Sequence, residues 1–350
     1  MTIREELHNL EEKYLAPYAA LASQSKGRER VEEPDAIRTC FMRDRDRIIH
    51  SKSFRRLKHK TQVYISPNND HYRTRLTHTL EVSQISRTIG KALGLNPDLL
   101  EAIALGHDVG HTPFSHTGED VLNRLLPGGF RHNENSVRVL TRIEQGKNGP
   151  GLNLTRETLA GVLYHSGLEK SEGEENTLEG QVVRLSDKIA YIQHDIDDSI
   201  RAGVLKTSDI PKEYLEVLGD DHSSRITTLV EDLVQNSRKN IAAGNLKISF
   251  SSAVNAAMKG LREFMFATVY KGPLCMAERQ RVIYVVEFLF DYFVRNYEKL
   301  PEFYRQIALD EGIERGVVDY ISGMTDNYCT AIFRDLVLPR SYVQITLPEL

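Results

Sequence analysis

Histidines are concentrated in one part of this chain, and their spacing points to chemistry at a single site. Of the 12 histidines, six lie between residues 78 and 165, namely His78, His107, His111, His116, His132 and His165. A lone histidine is more often a packed or surface residue than a ligand or a base. Here, however, His107 is followed directly by Asp108, then by Gly110 and the string HTPFSH. The arrangement, more than any one histidine, indicates a functional site.

Two of these histidines and two aspartates are placed where a bundle of helices would bring them together. His107 and Asp108 end a predicted helix that begins at Pro97, His78 falls in the helix before it, and Asp187 falls in a later one. Adjacent helical side chains diverge by about 100°, so an ion held by both His107 and Asp108 must lie near the helix end. Two imidazoles and two carboxylates suit Mn, Fe, Zn, Ni or Mg, and they leave positions open for water and phosphate oxygen. The sequence therefore predicts a divalent metal site inside a helical bundle.

The elements that must position these residues are predicted to be helices, because apolar residues recur at spacings of three and four in most of the chain. Asn96 and Pro97 form a predicted helix start, and Gly94 and Gly110 stand where helices are expected to end. Two apolar helix faces are predicted, one from Leu80, Ile85, Ile89 and Leu93, the other from Val282, Val285, Val286, Leu289 and Phe293. Short strands are predicted only at 62–65 and 246–250, and loops at 146–153 and 167–176.

Composition excludes several classes of protein. With 40% hydrophobic and 27% charged residues, the 350-residue chain can bury a sizeable core. The net charge of −4 argues against a histone-like coat for nucleic acid. Three widely spaced cysteines without a CxxC pair argue against a disulfide framework or a cysteine zinc site. A secretory signal, a membrane span, a P-loop and a GxGxxG motif are all absent from the sequence, so we expect a cytoplasmic protein that does not contact a membrane.

The segment 43–60 differs from the rest of the chain in its charge. It holds eight lysines or arginines against two aspartates, a net charge of +6 in an otherwise acidic protein. One interpretation is a solvated helix face with ion pairs between neighbouring turns. The other is a site for polyanions, either nucleotide phosphates or the backbone of a single-stranded nucleic acid. The sequence alone leaves both interpretations open.

Six strings that follow one another along the chain carry a resemblance to a known family. They are DRDRIIHSKSFRRLKHKTQV, RTRLTHTLEVSQI, GHDVGHTPFSHTGE, FRHNENS, GLNLTRETLAG and RLSDKIAYIQHD. The order His78, then His107-Asp108, then Asp187 resembles the metal set of the HD phosphohydrolase superfamily. The six strings together resemble its dGTP triphosphohydrolase-like branch, the bacterial dNTPases. The resemblance covers residues 35–205 and thins beyond them to fragments such as VYKGP at 269–273.

The resemblance implies a fold and a reaction. The fold is all-α, with an HD helical-bundle core and additional C-terminal helices. Its parts are an N-terminal helical segment (1–34), the HD core (35–205) and a C-terminal helical region packed on the core (206–350). The implied reaction is hydrolysis of a deoxynucleoside triphosphate (dNTP) at the α-phosphorus, which releases the deoxynucleoside and intact triphosphate. The divalent metal is implied to be held by His78, His107, Asp108 and Asp187.

Roles for further residues also follow from the resemblance. His116 and Glu119 match the catalytic pair, although relatives often carry aspartate where this chain has Glu119. In such a pair the carboxylate orients the imidazole that protonates the leaving 5′-oxygen. Substrate contacts are assigned to His111, His132, Arg75 and Lys188 at the phosphates, and to Gln62, Tyr191 and Asp195 at the deoxyribose. Taken alone, Arg75 is typical of a surface ion pair and Tyr191 of a core aromatic residue.

The resemblance further implies a homo-oligomer, with a hexamer expected, and a nucleotide that activates the enzyme. Two other functions stay open at this point. One is an HD phosphodiesterase or nucleotidase that acts on cyclic or monophosphate nucleotides. The other is a nucleic-acid-binding or nucleotide-sensing protein whose HD site is vestigial, although the complete set of four metal ligands argues against it.

Overall fold

The computed structural model describes residues 1–64, 71–147, 149–166 and 176–339, and these residues fold into helices joined by short turns. The α-helices in the first half are α1 (Ile3–Tyr14), α2 (Cys40–His50), α3 (Lys52–Arg56), α4 (Arg75–Leu93), α5 (Pro97–Gly106), α6 (Ser115–Leu125), α7 (His132–Arg138) and α8 (Arg156–Tyr164). Those in the second half are α9 (Leu178–Arg201), α10 (Lys212–Leu218), α11 (His222–Ala242), α12 (Ser252–Met265), α13 (Pro273–Arg295), α14 (Glu302–Glu311), α15 (Ile313–Ser322) and α16 (Asp326–Val337).

Short elements complete the described part of the chain. Single turns of 3₁₀ helix occur at Ala22–Gln24, Leu57–His59, Thr207–Asp209 and Tyr297–Lys299, and π-helical turns at Val139–Ile143 and Phe266–Tyr270. One hairpin is present, in which β1 (Gln145–Gly146) pairs antiparallel with β2 (Gly149–Pro150). The predicted all-α class is therefore confirmed.

The predicted start of α5 and end of α4 are confirmed by their capping contacts. The Asn96 side chain accepts hydrogen bonds from the backbone N–H groups of Asp98 and Leu99, at 3.1 and 3.3 Å, and Pro97 is the first helical residue. Gly94 ends α4 in the left-handed region, with φ of 71°. These two caps fix the short turn that sets α4 against α5.

Two details of these helices differ from the prediction. Leu80 is 52% exposed, whereas Val82, Ile85 and Ile89 are buried. The reason is geometric, since five residues of helix rotate a side chain by about 140° and place Leu80 away from Ile85. Helix α5 ends at Gly106 and not at Gly110. A Cβ on Gly110 would lie only 2.1 Å from the backbone nitrogen of Ser136, so this glycine permits close packing of two chain segments.

The predicted strands are wrong. Residues 62–64 form bends, residue 65 lies outside the described residues, and 246–250 adopt no regular structure. Side chains of neighbouring helices form the hydrogen bonds with the backbone of 246–250 that a partner strand would otherwise form. The N–H of Ile248 donates to Gln181 Oε1 at 3.0 Å, and Asn236 Nδ2 donates to the carbonyl of Ser249 at 2.9 Å. The predicted loop at 146–153 contains the hairpin, and the one at 167–176 lies outside the described residues except for Asn176.

Two large hydrophobic cores lie under these helices. The first is built from α4, α5 and α9 together with α11 and α12, and it includes Ile89, Leu100 and Val183. The second joins α6 to the C-terminal helices α13 and α15, through residues such as Leu122 and Val286. The first core contains buried residues on both sides of position 205, and the boundaries at 34 and 205 stay a prediction. None of the helices in the described ranges is long and apolar enough to span a bilayer.

Candidate active site

Three helices of the first core converge on the predicted metal ligands. His78 is the fourth residue of α4, His107 and Asp108 follow the last residue of α5, and Asp187 lies in α9. Because α4, α5 and α9 pack against one another pairwise, these side chains meet in the interior. We call His78, His107, Asp108 and Asp187 the metal-ligand cluster.

The four residues approach one another closely. His78 Nε2 lies 3.0 Å from Asp187 Oδ1, and His107 Nε2 lies 3.5 Å from Asp108 Oδ2. The rings of His78 and His107 are 5.4 Å apart between centroids. One ligand atom from each of His78, His107 and Asp108 falls within 4.8 Å of the others. The structure thus brings together all four predicted ligands, and three of them are fully buried.

The hydrogen bonds of His107 show that this cluster fits a cation. His107 Nδ1 lies 2.6 Å from the carbonyl oxygen of Ala104, so Nδ1 carries the proton and Nε2 presents a lone pair. That Nε2 atom is buried and has no hydrogen-bond partner among the described residues. A buried nitrogen without a partner costs about 1–3 kcal/mol, and a divalent ion beside two carboxylates removes that cost. The donor set of two imidazoles and two carboxylates fits a divalent metal.

A buried chain of hydrogen-bonded polar groups orients the ring of His78. Sequence reasoning missed two members of this chain, His194 and Tyr270. His78 Nδ1 lies 2.8 Å from His194 Nε2, and His194 Nδ1 lies 2.9 Å from Asp195 Oδ1. The hydroxyl of Tyr270 donates to the other carboxylate oxygen of Asp195. With Asp195 accepting from His194, and His194 accepting from His78, the Nε2 lone pair of His78 is directed at the cluster. His194 follows Asp187 by two helical turns on the same face, which is the signal that the sequence offered.

A second group of titratable residues adjoins the first. Its members, which we call the histidine–glutamate cluster, are His111, His116, Glu119, His132 and His165. Glu119, in α6, is the hub: its Oε1 lies 2.8 Å from His132 Nδ1 and its Oε2 lies 3.3 Å from His116 Nδ1. The predicted pair of His116 and Glu119 is therefore present, and His132 is a closer partner of the same carboxylate.

The charge states within this cluster follow from its contacts. Burial would raise the pKa of Glu119, but hydrogen bonds from His116 and His132 hold that pKa far below its usual value. Burial would lower the pKa of His132, but the hydrogen bond and charge of Glu119 raise it. Burial and the neighbouring His107 and His132 lower the pKa of His165 to about 3. The cluster thus holds a carboxylate that favours the protonated form of His132, beside a neutral His165.

His111 and Arg75 link the two clusters. His111 is fully buried and stacks on His132 with ring centroids 4.7 Å apart, and neither of its ring nitrogens has a hydrogen-bond partner among the described residues. Burial and the charge of Arg75 hold the pKa of His111 well below its usual value. Arg75 is itself 2% exposed, and it donates to Asp108 Oδ2 and, at 2.9 Å, to Ser115 Oγ. Arg75 is thus a buried partner of the metal-ligand cluster and not a surface ion pair.

The other predicted substrate residues lie around this centre with different degrees of support. Tyr191 stacks on Tyr270, with ring centroids 6.0 Å apart, and Tyr270 in turn bonds to Asp195. Gln62 is buried, and its Oε1 has no partner among the described residues. Lys188 is exposed next to Asp187, and within the described ranges it forms no hydrogen bond or ion pair with either cluster. The roles assigned to all these residues stay predictions.

Within segment 43–60, several cations are already paired. Arg43 and Arg47 approach Glu32, at 3.3 and 2.8 Å, and Arg45 approaches Asp98 at 3.1 Å. Lys60 is 2% exposed and donates to backbone carbonyls. These contacts favour the interpretation of the segment as a face with ion pairs, and they leave fewer cations for a polyanion than the net charge suggests.

Two family models match this chain. The HD domain matches residues 75–192, which contain both clusters, and the phosphohydrolase-associated domain matches residues 248–335, which contain Tyr270. Fold, site and models together define an HD-domain protein that carries a phosphohydrolase-associated region.

Full-length relatives narrow the class. A deoxyguanosinetriphosphate triphosphohydrolase-like protein of Clostridium tetani is 55% identical over 97% of this chain and 97% of its own length. Proteins of the same description are 56% identical in Clostridium perfringens, over 97% of this chain and 99% of the relative, and 53% identical in Caldanaerobacter subterraneus, over 100% of both chains. The chain belongs to the deoxyguanosinetriphosphate triphosphohydrolase-like family, and the resemblance noted from the six strings is confirmed.

Proposed function

We propose that this protein is a metal-dependent dNTP triphosphohydrolase, which converts a dNTP and water to the deoxynucleoside and intact triphosphate. The observation that carries the proposal is the adjacency of two clusters with different chemistry. One is a buried set of two imidazoles and two carboxylates, and the other is a set of histidines organised by Glu119. The relatives, named as triphosphohydrolase-like proteins, supply the reaction class that both clusters would serve.

The metal-ligand cluster would hold a divalent ion, and Mn, Fe, Zn, Ni and Mg are all compatible with its nitrogen and oxygen donors. When bound, such an ion polarises a phosphate oxygen and lowers the pKa of a bound water. His107 and His78 face it through Nε2 atoms whose tautomers are set by Ala104 and His194. Asp108 and Asp187 supply the negative charge that balances it.

The histidine–glutamate cluster handles the leaving group and the phosphates. His116 donates the proton that the 5′-oxygen needs as its bond to phosphorus breaks, and Glu119 orients the imidazole. His132, whose protonated form Glu119 favours, and the guanidinium of Arg75 attract the phosphates. Lys188, exposed at the rim beside Asp187, adds a further positive charge.

The sugar would lie against the opposite wall of the site. Tyr191 and Tyr270 form a stacked pair whose apolar faces suit a deoxyribose ring. Asp195, which accepts from the hydroxyl of Tyr270, is the acceptor proposed for the 3′-hydroxyl. Gln62 Oε1, buried without a partner among the described residues, is available for the same sugar. A sugar packed against Tyr191 and Tyr270 would have little room for a 2′-hydroxyl, so we expect dNTPs to be preferred over NTPs.

We further propose, from the family resemblance, a cytoplasmic homo-oligomer, with a hexamer expected, that a nucleotide activates. Light scattering after size-exclusion chromatography, with and without added dNTPs, tests the assembly. A monomer under both conditions contradicts it.

The decisive experiment identifies products. Purified protein is incubated with each dNTP and each NTP in the presence of Mn²⁺ or Mg²⁺, and the products are separated by ion-exchange chromatography. We expect intact triphosphate and the deoxynucleoside in equal amounts. Orthophosphate, pyrophosphate or the opening of a cyclic nucleotide instead would assign the site to an HD nucleotidase or phosphodiesterase.

A further inference from the structure

A sharp turn precedes α6, the helix that carries His116 and Glu119. Phe114 and Ser115 have φ angles of 60° and 57°, in the left-handed region that residues other than glycine disfavour. Such a conformation persists only when surrounding contacts hold it in place. The residues that hold this turn therefore bear on where the imidazole of His116 lies.

The C-terminal region supplies the principal contact. Asp326, the first residue of α16, is 6% exposed, and its Oδ1 accepts a hydrogen bond of 2.9 Å from the backbone N–H of Phe114. Its Oδ2 accepts from the backbone N–H and the hydroxyl of Thr61, at 3.0 and 2.6 Å. One buried carboxylate thus joins the turn before α6 to a segment 53 positions earlier and to a helix 212 positions later in the chain.

Lys60 fixes the other end of the same turn. Its Nζ donates to the carbonyl oxygen of His111 and, at 2.9 Å, to that of Ser322 at the end of α15. Lys60 is 2% exposed, so these bonds are shielded from water. Between His111 and Phe114, the turn is therefore anchored twice, and both anchors reach the C-terminal helices.

The packing of α6 also connects this helix to the C-terminal region. Val121 and Leu122 lie in the second hydrophobic core together with Val286 and Val317, and that core includes no residue of α4, α5 or α9 among its buried members. The helices that lead to the metal ligands thus pack in the first core, and the helix with His116 packs in the second.

We propose that Asp326 is a positioning residue for catalysis: through the N–H of Phe114 it holds the left-handed turn that places His116 and Glu119 against the metal-ligand cluster. The phosphohydrolase-associated region is then a working part of the site. This inference rests on the proposed function, because it assumes that His116 and Glu119 act on the substrate.

The test compares two buried aspartates of the C-terminal region. Asp319, in α15, is 2% exposed and binds Arg138 and Arg315, so Asp319→Ala also weakens the attachment of this region. In the described part of the chain its hydrogen bonds and ion pairs do not involve residues 111–116. For Asp326→Ala we expect kcat to fall about 10- to 100-fold, because small misplacements of reacting groups have effects of this size. Metal content should be unchanged and KM should change less than kcat. For Asp319→Ala we expect a lower Tm with kcat near that of the wild type.

A second measurement does not depend on turnover. Hydrogen exchange followed by mass spectrometry should show that the Phe114 amide is protected in the wild type and in Asp319→Ala, and exchanges faster in Asp326→Ala. If Asp326→Ala does not fold, Asp326→Leu replaces it, since its side chain of similar size fills the same space and offers no acceptor to the N–H of Phe114. Unchanged kcat together with unchanged exchange in the folded variant overturns the inference, as does an equal loss of kcat in Asp319→Ala. Absence of turnover in the wild type would instead overturn the proposed function, and the exchange result would still test the contact.

Discussion

The two clusters of the site differ in how the fold supports them. The metal-ligand cluster lies at the meeting point of α4, α5 and α9, under the first core, with three of its four residues buried. The histidine–glutamate cluster includes His116, whose side chain is 59% exposed, on a helix that packs in the second core with the C-terminal region. The proposed metal binding and the proposed proton transfer thus rest on different parts of the fold. They should therefore be separable by mutation.

The largest effect is expected at the metal-ligand cluster. Asp108→Ala removes a ligand and the partner of Arg75, so both the metal and the turnover should be lost. Metal analysis and turnover on one preparation check this result. Asp310→Ala, at an exposed position of α14, is the matched control and should retain both. Stoichiometric metal in a fully active Asp108→Ala enzyme would remove the assignment of the cluster.

A smaller effect, of a different kind, is expected at the centre of the other cluster. Glu119→Gln removes the charge that His116 and His132 share, and we expect kcat to fall about 10²-fold with metal content unchanged. The pH profile should also change. His132 is protonated below its pKa and Glu119 raises that pKa, so the loss of activity on the alkaline side should move to lower pH in the variant. An unchanged profile would mean that the pair with Glu119 does not set the charge that catalysis needs.

The fold class and the grouping of the four candidate metal ligands in one place could be predicted from the sequence, because both follow from patterns of residue type and order. Periodicity of three and four predicts helices, and the order of His78, His107-Asp108 and Asp187 carries the family resemblance. Periodicity was less reliable in detail, as the exposed Leu80 shows. Contacts between distant positions could not be predicted.

Two hydrogen bonds illustrate that limit. The bond between Tyr270 and Asp195 joins positions 75 residues apart, and the bond between Asp326 and Phe114 joins positions 212 residues apart. Nothing in the local sequence of either partner indicates the other. The same holds for Lys60. In the sequence it is one of the cations of a basic segment, whereas in the structure it is buried and donates to two backbone carbonyls. The C-terminal third contributes to the site through such contacts, and the six strings gave no sign of them.

The smallest effect is expected behind the metal-ligand cluster. His194→Phe removes the acceptor that orients His78 and keeps a ring in its place, and we expect metal affinity to fall about 10- to 100-fold, as for other residues that support a ligand. Competition with a chelator measures the affinity without any assay of turnover. His50→Phe, at an exposed position at the end of α2, serves as the control. Wild-type affinity in His194→Phe would show that helix packing alone orients His78.

The separation of the two clusters is tested most directly by His116→Ala, with metal content, nucleotide binding and turnover measured on one preparation. Because His116 lies on α6 and its ring contacts Glu119 but no metal ligand in the described residues, the metal should stay bound. Loss of a positioned general acid should lower kcat by about 10²–10⁴-fold. Full metal content with that loss of turnover is the result we predict. Metal lost in step with activity, or near-normal turnover, would contradict the account.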